Sequence, residues 1–325
     1  MAARAGVSRA TVSRVVNGES SVSSEVRFAV MRAVREIGYV PNAAARSLVT
    51  RRTNAVALVL SVPRQGGDAL TAAVVQSVVQ YVTSLLEGAG KQITLMLADT
   101  AESHRRIVAH VEGRLADGVV LLPPDRGDTL AERLSRTEVP VVLLGKPPIA
   151  SMVPYVDVDN AGGAAAATDH LVSLGRRRIG MICGPMDLVT VQDRLAGHRT
   201  ALRRAGLRPH LAVADDLTRA AGEAATHRLL GDHPSLDAVF AATDQLAIGA
   251  LTAAREAGRR VPEDLAVVGF DDVDAASATT PALTTVRVPV ADQALALARL
   301  LLSRLEGRHT TSVVLPARLV VRESA

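Results

Sequence analysis

The sequence predicts an α/β protein in which a small helical domain precedes two lobes, each built on a parallel sheet. A chain of 325 residues is long enough to bury more than one core. From residue 54 onward, short apolar runs alternate with helical stretches, a pattern typical of parallel α/β architecture. The first 52 residues differ, because nine arginines and three glutamates give them a net charge of +6, against −2 for the remainder. Such a basic head indicates binding to a polyanion.

The segment GVSRATVSRVVNG (6–18) predicts the second half of a helix-turn-helix element. The turn at its start places Ser8 to cap the next helix. One side of that helix is apolar, the other carries Arg9 and Arg14, and the Asn17-Gly dipeptide ends it. A short basic helix entered through a glycine turn is suited to the major groove of DNA.

Two further helices are predicted in the head. Ser23 can cap one whose apolar residues recur at helical spacing as far as Ile37. The other, at 42–48 (NAAARSL), is too short to be stable alone in water. Residues 1–5 form barely one turn, whereas a helix-turn-helix needs a first helix to support the second. We therefore expect the native start to lie upstream of Met1.

The apolar runs predict two series of strands, which favours two similar lobes. The first series is 55–62, 92–97, 118–122 and 140–144; the second is 155–158, 178–183, 212–214, 237–241 and 265–270. Predicted helices between them include 70–87, 161–174, 194–205 and 245–257. The last segments are a strand at 285–288, a helix at 290–305 and strands at 312–315 and 318–322. They fit a chain that returns to the first lobe and ends in the second, with three linkers crossing.

Polar groups follow the carboxyl ends of several predicted strands. They lie at 61–63, 123–125, 184–190, 243–244 and 271–272. Ligands of open α/β sheets bind at those ends, so the groups are expected to converge in a cleft between the lobes. Buried, paired donors and acceptors of this kind suit a hydroxyl-rich small ligand.

The sequence gives little support for an enzyme, a metal-binding protein or a membrane protein. The single cysteine, Cys183, excludes a disulfide framework and a cysteine-cluster metal site. The eight histidines are scattered, with neither an HExxH motif nor metal-ligand spacing, so no cofactor or metal is predicted. No apolar run approaches the ~18 residues of a membrane span, and the N-terminus lacks a signal-peptide core. We expect a cytoplasmic protein.

Six motifs together point to one known family: VSRATVSRVVNG, VSSEVRFAVMRAVREIGYVPNAAARSL, VDVDNAGGAAAATDHLVSLGRRRIGMICGP, DRLAGHRTAL, AVFAATDQLAIGAL and VPEDLAVVGFDDVDAASATTPALTTV. They resemble the lactose/galactose-repressor (LacI/GalR) family of bacterial transcription regulators over nearly the whole chain. The resemblance implies a helix-turn-helix headpiece at 1–50 with a hinge helix at 42–48. It also implies two doubly wound α/β lobes of the periplasmic-binding-protein-like type, one at 54–153 plus 286–313 and the other at 154–285 plus 314–325.

The resemblance assigns DNA-contacting residues. Those placed on base edges of the major groove are Arg9, Ala10 and Arg14. Those placed on phosphates are Ser8, Thr11, Ser13, Asn17 and Asn42. Leu48 would enter the minor groove as a wedge from the hinge helix. The alternatives are an ordinary apolar linker residue for Leu48 and a capping role alone for Ser8.

Position and resemblance together predict an effector site of Ser61, Asp159, Thr190, Arg194, Thr243, Asp244 and Asp271. Arg194 matches the family arginine that fixes the ligand, and Asp271 matches its ligand-binding carboxylate. Simpler roles remain open: a solvent-facing helix residue for Arg194, a turn for Asp271, and helix caps for Asp159 and Asp244. The loop PRQGGDAL lacks the aromatic ring that often stacks on the ligand in this family, and the chain has no tryptophan. A sugar is expected, with a small polyol, acid or phosphorylated metabolite as alternatives.

These expectations describe a homodimeric, effector-responsive transcription regulator, most simply a repressor, on a near-palindromic DNA operator. Without a leucine-heptad tail after the last strand, assembly of dimers into tetramers through such a tail is not expected. The alternative is a periplasmic-type solute-binding protein without DNA function, which would require a secretion signal and no basic head.

Overall fold

The computed structural model describes residues 1–16, 22–38, 52–61, 71–122, 129–147 and 152–325. The chain divides into two compact units, Met1–Ala55 and Val56–Ala325. In the part of the chain that is described, no helix is both long and apolar enough to span a bilayer.

The first unit contains three described helices, α1 (Ala2–Ala5), α2 (Arg9–Val16) and α3 (Ser24–Glu36). Gly6 ends α1 in the left-handed conformation, at φ 68°, which turns the chain into α2. A small core joins the helices, because Val15 of α2 is buried together with Val30 and Ala33 of α3. The helices predicted around 9–16 and 24–36 are therefore present. Segments 17–21 and 39–51, which include the predicted hinge helix, lie outside the described residues.

The second unit holds two six-stranded sheets. The first contains β1 (Ala55–Ser61), β2 (Gln92–Ala98), β3 (Gly118–Leu122), β4 (Val141–Leu144), β5 (Tyr155–Val158) and β11 (Val313–Leu315). Its order is β2-β1-β3-β4-β5-β11. Its helices are α4 (Thr71–Gly88), α5 (Ala101–Glu112), α6 (Leu130–Ser135) and α12 (Val290–Leu305).

The second sheet repeats this topology. It contains β6 (Ile179–Cys183), β7 (His210–Val213), β8 (Ala238–Ala241), β9 (Ala266–Asp271), β10 (Thr284–Arg287) and β12 (Arg318–Val320), in the order β7-β6-β8-β9-β10-β12. Its helices are α7 (Asn160–Ser173), α8 (Val189–Arg204), α9 (Arg219–Asp232), α10 (Asp244–Glu256) and α11 (Asp274–Ser277). β10 pairs parallel with β9 and antiparallel with β12. The prediction of a helix-turn-helix head with two doubly wound lobes is confirmed.

The apolar runs are explained by helices on both faces of each sheet. In β1, Val56 and Leu58 belong to the core cluster that includes α4 and α12. The alternate residues Ala57 and Val59 belong to the cluster on the opposite face, with α5. A strand covered on both sides has no polar face, which makes it nearly continuously apolar.

The lobe boundaries differ from the sequence prediction. Tyr155–Val158 was placed in the second lobe, but β5 pairs with β4 and β11 in the first sheet, so that assignment is wrong. β10 lies wholly in the second sheet, and β11 stays in the first sheet as far as Leu315. An apolar strand carries no mark of the sheet it joins, so the sequence could not place these boundaries. Within the described residues the chain crosses three times, after β5, β10 and β11, in agreement with the predicted three linkers.

Helices α7 and α8 pack closely because Gly197 lies between them. A Cβ atom built on Gly197 would lie only 2.0 Å from the carbonyl oxygen of Ala161. The two backbones therefore touch, and this contact fixes α8 on the lobe. Gly231 in α9 provides a contrast, since a Cβ there meets nothing within 4 Å.

We expect Gly197→Ala to lower the free energy of unfolding by about 1–3 kcal/mol, because the helices must separate to admit the methyl group. Gly231→Ala is the matched control and should be neutral or stabilising by up to about 1 kcal/mol through helix propensity. Urea unfolding of the full chain measures both. Equal effects of the two substitutions would contradict the close packing described here.

Candidate functional site

Arg194 of α8 lies at the point of the second sheet where the strand order reverses. β6 and β8 are neighbours there, and the chain leaves them in opposite directions. Arg194 donates a hydrogen bond from Nη1 to the carbonyl oxygen of Ala242, directly after β8, at 2.6 Å. Such switch points are where open α/β sheets bind ligands.

The guanidinium of Arg194 is held on every side. Nε donates to Oδ1 of Asn160 at 2.9 Å, and Nη2 lies 3.1 Å from Oδ1 of Asp271. Its central carbon sits 3.7 Å from the centre of the Phe270 ring, a cation–π arrangement. Arg194 is only 7% exposed, and a charge buried to this extent requires such partners. The alternative of a solvent-facing helix residue does not fit this burial.

Asp271 and Asp272 have different roles although they are adjacent. Both have a positive φ, 114° for Asp271 and 57° for Asp272. Burial raises the pKa of Asp271, and the neighbouring Arg194 guanidinium opposes this shift. The Asp272 carboxylate accepts hydrogen bonds from Arg287 Nε and Arg322 Nη2, one to each oxygen, both at 2.5 Å. Asp272 therefore anchors β10 and the end of the chain, whereas Asp271 faces the arginine.

Asp244 is fully buried at the start of α10, close enough to Asp271 and Asp272 to feel their charges. Its carboxylate accepts hydrogen bonds from the hydroxyl of Thr285 and from the N–H of Val273, the latter at 2.9 Å. Burial, reinforced by the charge of Asp271, raises the pKa of Asp244 to about 8. The cap of α10 is Thr243, whose hydroxyl accepts from the Leu246 N–H at 3.3 Å.

The other predicted effector residues occupy the expected strand ends. Ser61 is buried at the carboxyl end of β1. Thr190 is half-buried one turn before Arg194 on α8. Asp159 is exposed at the crossing after β5 and caps α7, its Oδ1 accepting from the Gly162 N–H at 2.7 Å. Capping therefore accounts for Asp159 in this structure, and ligand contact by these residues stays a prediction.

A set of polar residues outside the predicted site connects Arg194 to the first lobe. Asn160, which holds Arg194, donates weakly from Nδ2 to Oδ1 of Asp157, at 3.4 Å. Asp157 is buried at the end of β5, and burial raises its pKa. Its other oxygen accepts from the backbone N–H of Lys146 at 3.3 Å, and Lys146 Nζ lies 3.7 Å from Asp193 Oδ2 on α8. The motif VDVDN signals both Asp157 and Asn160, since polar residues interrupt an apolar strand at its end.

In the head, α2 presents the predicted DNA-contacting residues. Ser8 Oγ accepts from the Thr11 N–H at 3.1 Å, so the predicted cap of α2 is present. The side chains of Arg9, Ala10, Ser13 and Arg14 are exposed, and Thr11 is partly buried. No acidic residue lies in α2, so its positive charge is not offset within the helix. Asn17, Asn42 and Leu48 lie outside the described residues.

A basic helix-turn-helix followed by a two-lobed core with a polar switch-point site defines a ligand-responsive DNA-binding regulator. Comparison with known proteins agrees with this class. Residues 1–42 match the model of bacterial regulatory proteins of the lacI family, and residues 168–325 match a periplasmic binding protein-like domain.

Full-length relatives support the same conclusion. The transcriptional regulator CelR of Thermobifida fusca is 44% identical over 330 residues, covering 100% of this chain and 96% of the relative. A ribose operon repressor of Halalkalibacterium halodurans is 31% identical over 327 residues, which cover 100% of this chain and 95% of the relative. The chain belongs to the LacI family of transcriptional regulators.

Two solved structures show the same architecture. The CelR–cellobiose complex matches with a TM-score of 0.78 and 41% identity, over 100% of this chain and 98% of that chain. The lac repressor dimer bound to operator and the anti-inducer ONPF matches with a TM-score of 0.85 and 28% identity, over 99% of this chain and 97% of that chain.

We expect the buried carboxyl of Asp244 to make stability fall with rising pH. Its pKa of about 8 means that the folded protein keeps a proton that the unfolded chain releases above about pH 4. Between about pH 4 and pH 8, the Asp244 carboxyl can lower the free energy of unfolding by at most about 1.4 kcal/mol for each unit that the pH rises. In Asp244→Asn this contribution is absent, so urea unfolding at pH 5 and pH 8 should differ less than in the wild type. Asp169→Asn, at an exposed site, is the control, and identical slopes for wild type and Asp244→Asn would contradict the assignment.

Proposed function

We propose that this chain is a homodimeric repressor whose headpieces bind the two halves of a near-palindromic operator and whose cleft binds a carbohydrate effector. It acts by binding rather than catalysis. The observation that carries the proposal is the Arg194–Asp271 pair at the sheet switch point, in a chain that matches LacI-family regulators over its full length.

The pair suits neighbouring hydroxyl groups. A guanidinium only donates hydrogen bonds and an ionised carboxylate only accepts them, and here the two lie 3.1 Å apart. Adjacent hydroxyls on a sugar ring can accept from one and donate to the other. Because Arg194 is fixed by Asn160 and Ala242, its orientation is set before a ligand arrives. The CelR–cellobiose complex supports a cellobiose-like β-linked disaccharide as the first effector to test.

Coupling to DNA would run through the contacts between the lobes. The Lys146–Asp193 ion pair is partly exposed, with side chains 50% and 31% exposed, and such pairs typically contribute only about 0–1 kcal/mol. Coupling between effector and DNA typically amounts to about 1–3 kcal/mol. The buried connection from Arg194 through Asn160 to Asp157 is better suited to carry it, because it joins the proposed ligand-binding arginine to a residue of the first lobe.

The proposed dimer surface lies on the first lobe. Tyr81 and Leu85 on α4, and Leu95 and Leu97 on the edge strand β2, are each at least 37% exposed. Tyr81 and Leu85 are four residues apart and so share one face of the helix, and Leu95 and Leu97 are two apart and so share one face of the strand. The two elements are neighbours, because α4 packs against β2. Single exposed apolar residues need no explanation, but four on adjoining elements suggest a partner surface. The similarity to the lac repressor dimer on its operator supports a two-fold arrangement.

We expect cellobiose to bind the full-length protein and Asp271→Asn to weaken that binding about 10- to 100-fold, because a charged hydrogen-bond acceptor is lost. Asparagine has nearly the same size and shape as aspartate, so the backbone at this position should keep its conformation. Isothermal titration measures the affinity, with Asp169→Asn as the charge-matched control and thermal unfolding as a check on folding. Unchanged affinity in Asp271→Asn would remove this carboxylate from the site, and binding of ribose but not cellobiose would reassign the sugar.

We expect Arg14→Ala to weaken binding to a selected operator by about 10- to 100-fold, since an arginine–guanine contact discriminates by about 1–3 kcal/mol. Random DNA of equal length should lose only a few-fold, the cost of one charge. Gel-shift titrations with an operator selected by the wild type measure both losses. Arg35→Ala removes the same charge from α3 and should affect the two DNAs equally. If Arg14→Ala also does so, Arg14 contacts phosphate and not bases.

A further inference from the structure

A cluster of metal-ligand side chains lies on the second lobe, remote from the cleft. Glu223 and His227 are on α9, and Glu256 ends α10. One ligand atom from each residue lies within 4.8 Å of the other two. Glu256 is twelve residues after Asp244, so the cluster is about 18 Å along the helix from the start of α10.

Close helix packing holds the three side chains together. A Cβ atom on Gly222 would lie 2.5 Å from the Leu246 carbonyl oxygen, and one on Gly249 would lie 2.1 Å from the Arg219 carbonyl oxygen. The backbones of α9 and α10 therefore touch immediately beside Glu223. Four residues later, His227 lies on the same face of α9 as Glu223. The same packing brings Glu256 next to it.

The electrostatics of the cluster favour a cation. His227 Nε2 lies 3.0 Å from Glu256 Oε2, with both side chains about half exposed. Glu223 is partly buried, and among the described residues its carboxylate has no cationic side chain within 4.0 Å. Two carboxylates and one imidazole nitrogen are thus brought within 4.8 Å of one another. A divalent ion would neutralise their repulsion.

We propose that Glu223, His227 and Glu256 form a binding site for a divalent transition-metal ion, with zinc as the best-suited metal. Zinc binds histidine nitrogen and carboxylate oxygen at about 2.0–2.2 Å, which places tetrahedral ligand atoms about 3.3 Å apart. The His227–Glu256 separation is already close to that value, and small rotations of Glu223 complete three ligands, with water as the fourth. The bound ion joins α9 to α10. The site is independent of the proposed effector and operator.

The test uses the full-length protein dialysed against chelator and then titrated with Zn²⁺ by calorimetry and with Co²⁺ by visible absorption. We expect one saturable site whose occupancy raises the unfolding temperature. His227→Ala and Glu256→Gln should each weaken it at least about tenfold. Glutamine keeps a hydrogen-bonding group beside His227 but not the anionic ligand, so it separates metal binding from the hydrogen bond.

Two histidine controls exclude other sites. His309→Ala removes an exposed histidine outside the cluster. His233→Ala breaks the His210–His233 pair, whose rings are 4.3 Å apart and could attract zinc themselves. Both variants should bind like the wild type. A wild type without saturable binding, or unchanged affinity in either His227→Ala or Glu256→Gln, would overturn the proposal.

Discussion

The second lobe is organised around one buried positive charge. Arg194 reaches the switch point only because Asn160, the Ala242 carbonyl and Asp271 together replace the water it has lost. These partners come from the start of α7 and from the ends of β8 and β9, so one side chain fixes three separate junctions. Asp244 is buried nearby, and burial, reinforced by the charge of Asp271, raises its pKa. The contacts that fix the orientation of Arg194, our proposed ligand-binding group, also hold these strand ends in place.

Much of this arrangement could be predicted from the sequence. Apolar runs located the strands to within a few residues, and the helix predicted at 290–305 matches α12 (Val290–Leu305). α8 begins at Val189 and not at Arg194, because the segment from Val189 to Asp193 carries too few apolar residues to show its period. The consequence is large, since Arg194 lies inside the helix and points into the lobe. Arg194 and Asp271 could be named as a pair only because the family resemblance joined residues 77 positions apart.

Other features depend on tertiary contacts that no local pattern records. The membership of β5 in the first sheet is set by its pairing with β4 on one side and with β11, from the far end of the chain, on the other. Asn160 and Asp157 stand out only through their contacts with Arg194 and with each other. No short histidine motif joins Glu256 to Glu223 and His227, because they lie on a neighbouring helix. Glycines 222 and 249 look like helix-weakening residues in the sequence, yet they are the places where two backbones meet.

The three crossings between the lobes share one mechanical property. Each crossing starts from or ends at β5, β10, β11 or β12; β11 and β12 are the edge strands of their sheets, and β5 and β10 are the strands next to them. With three covalent connections on one side, rotation of one lobe about that side should strain the chain less than sliding of one lobe past the other. We therefore expect relative motion of the two lobes to be mainly a rotation about that side of the sheets.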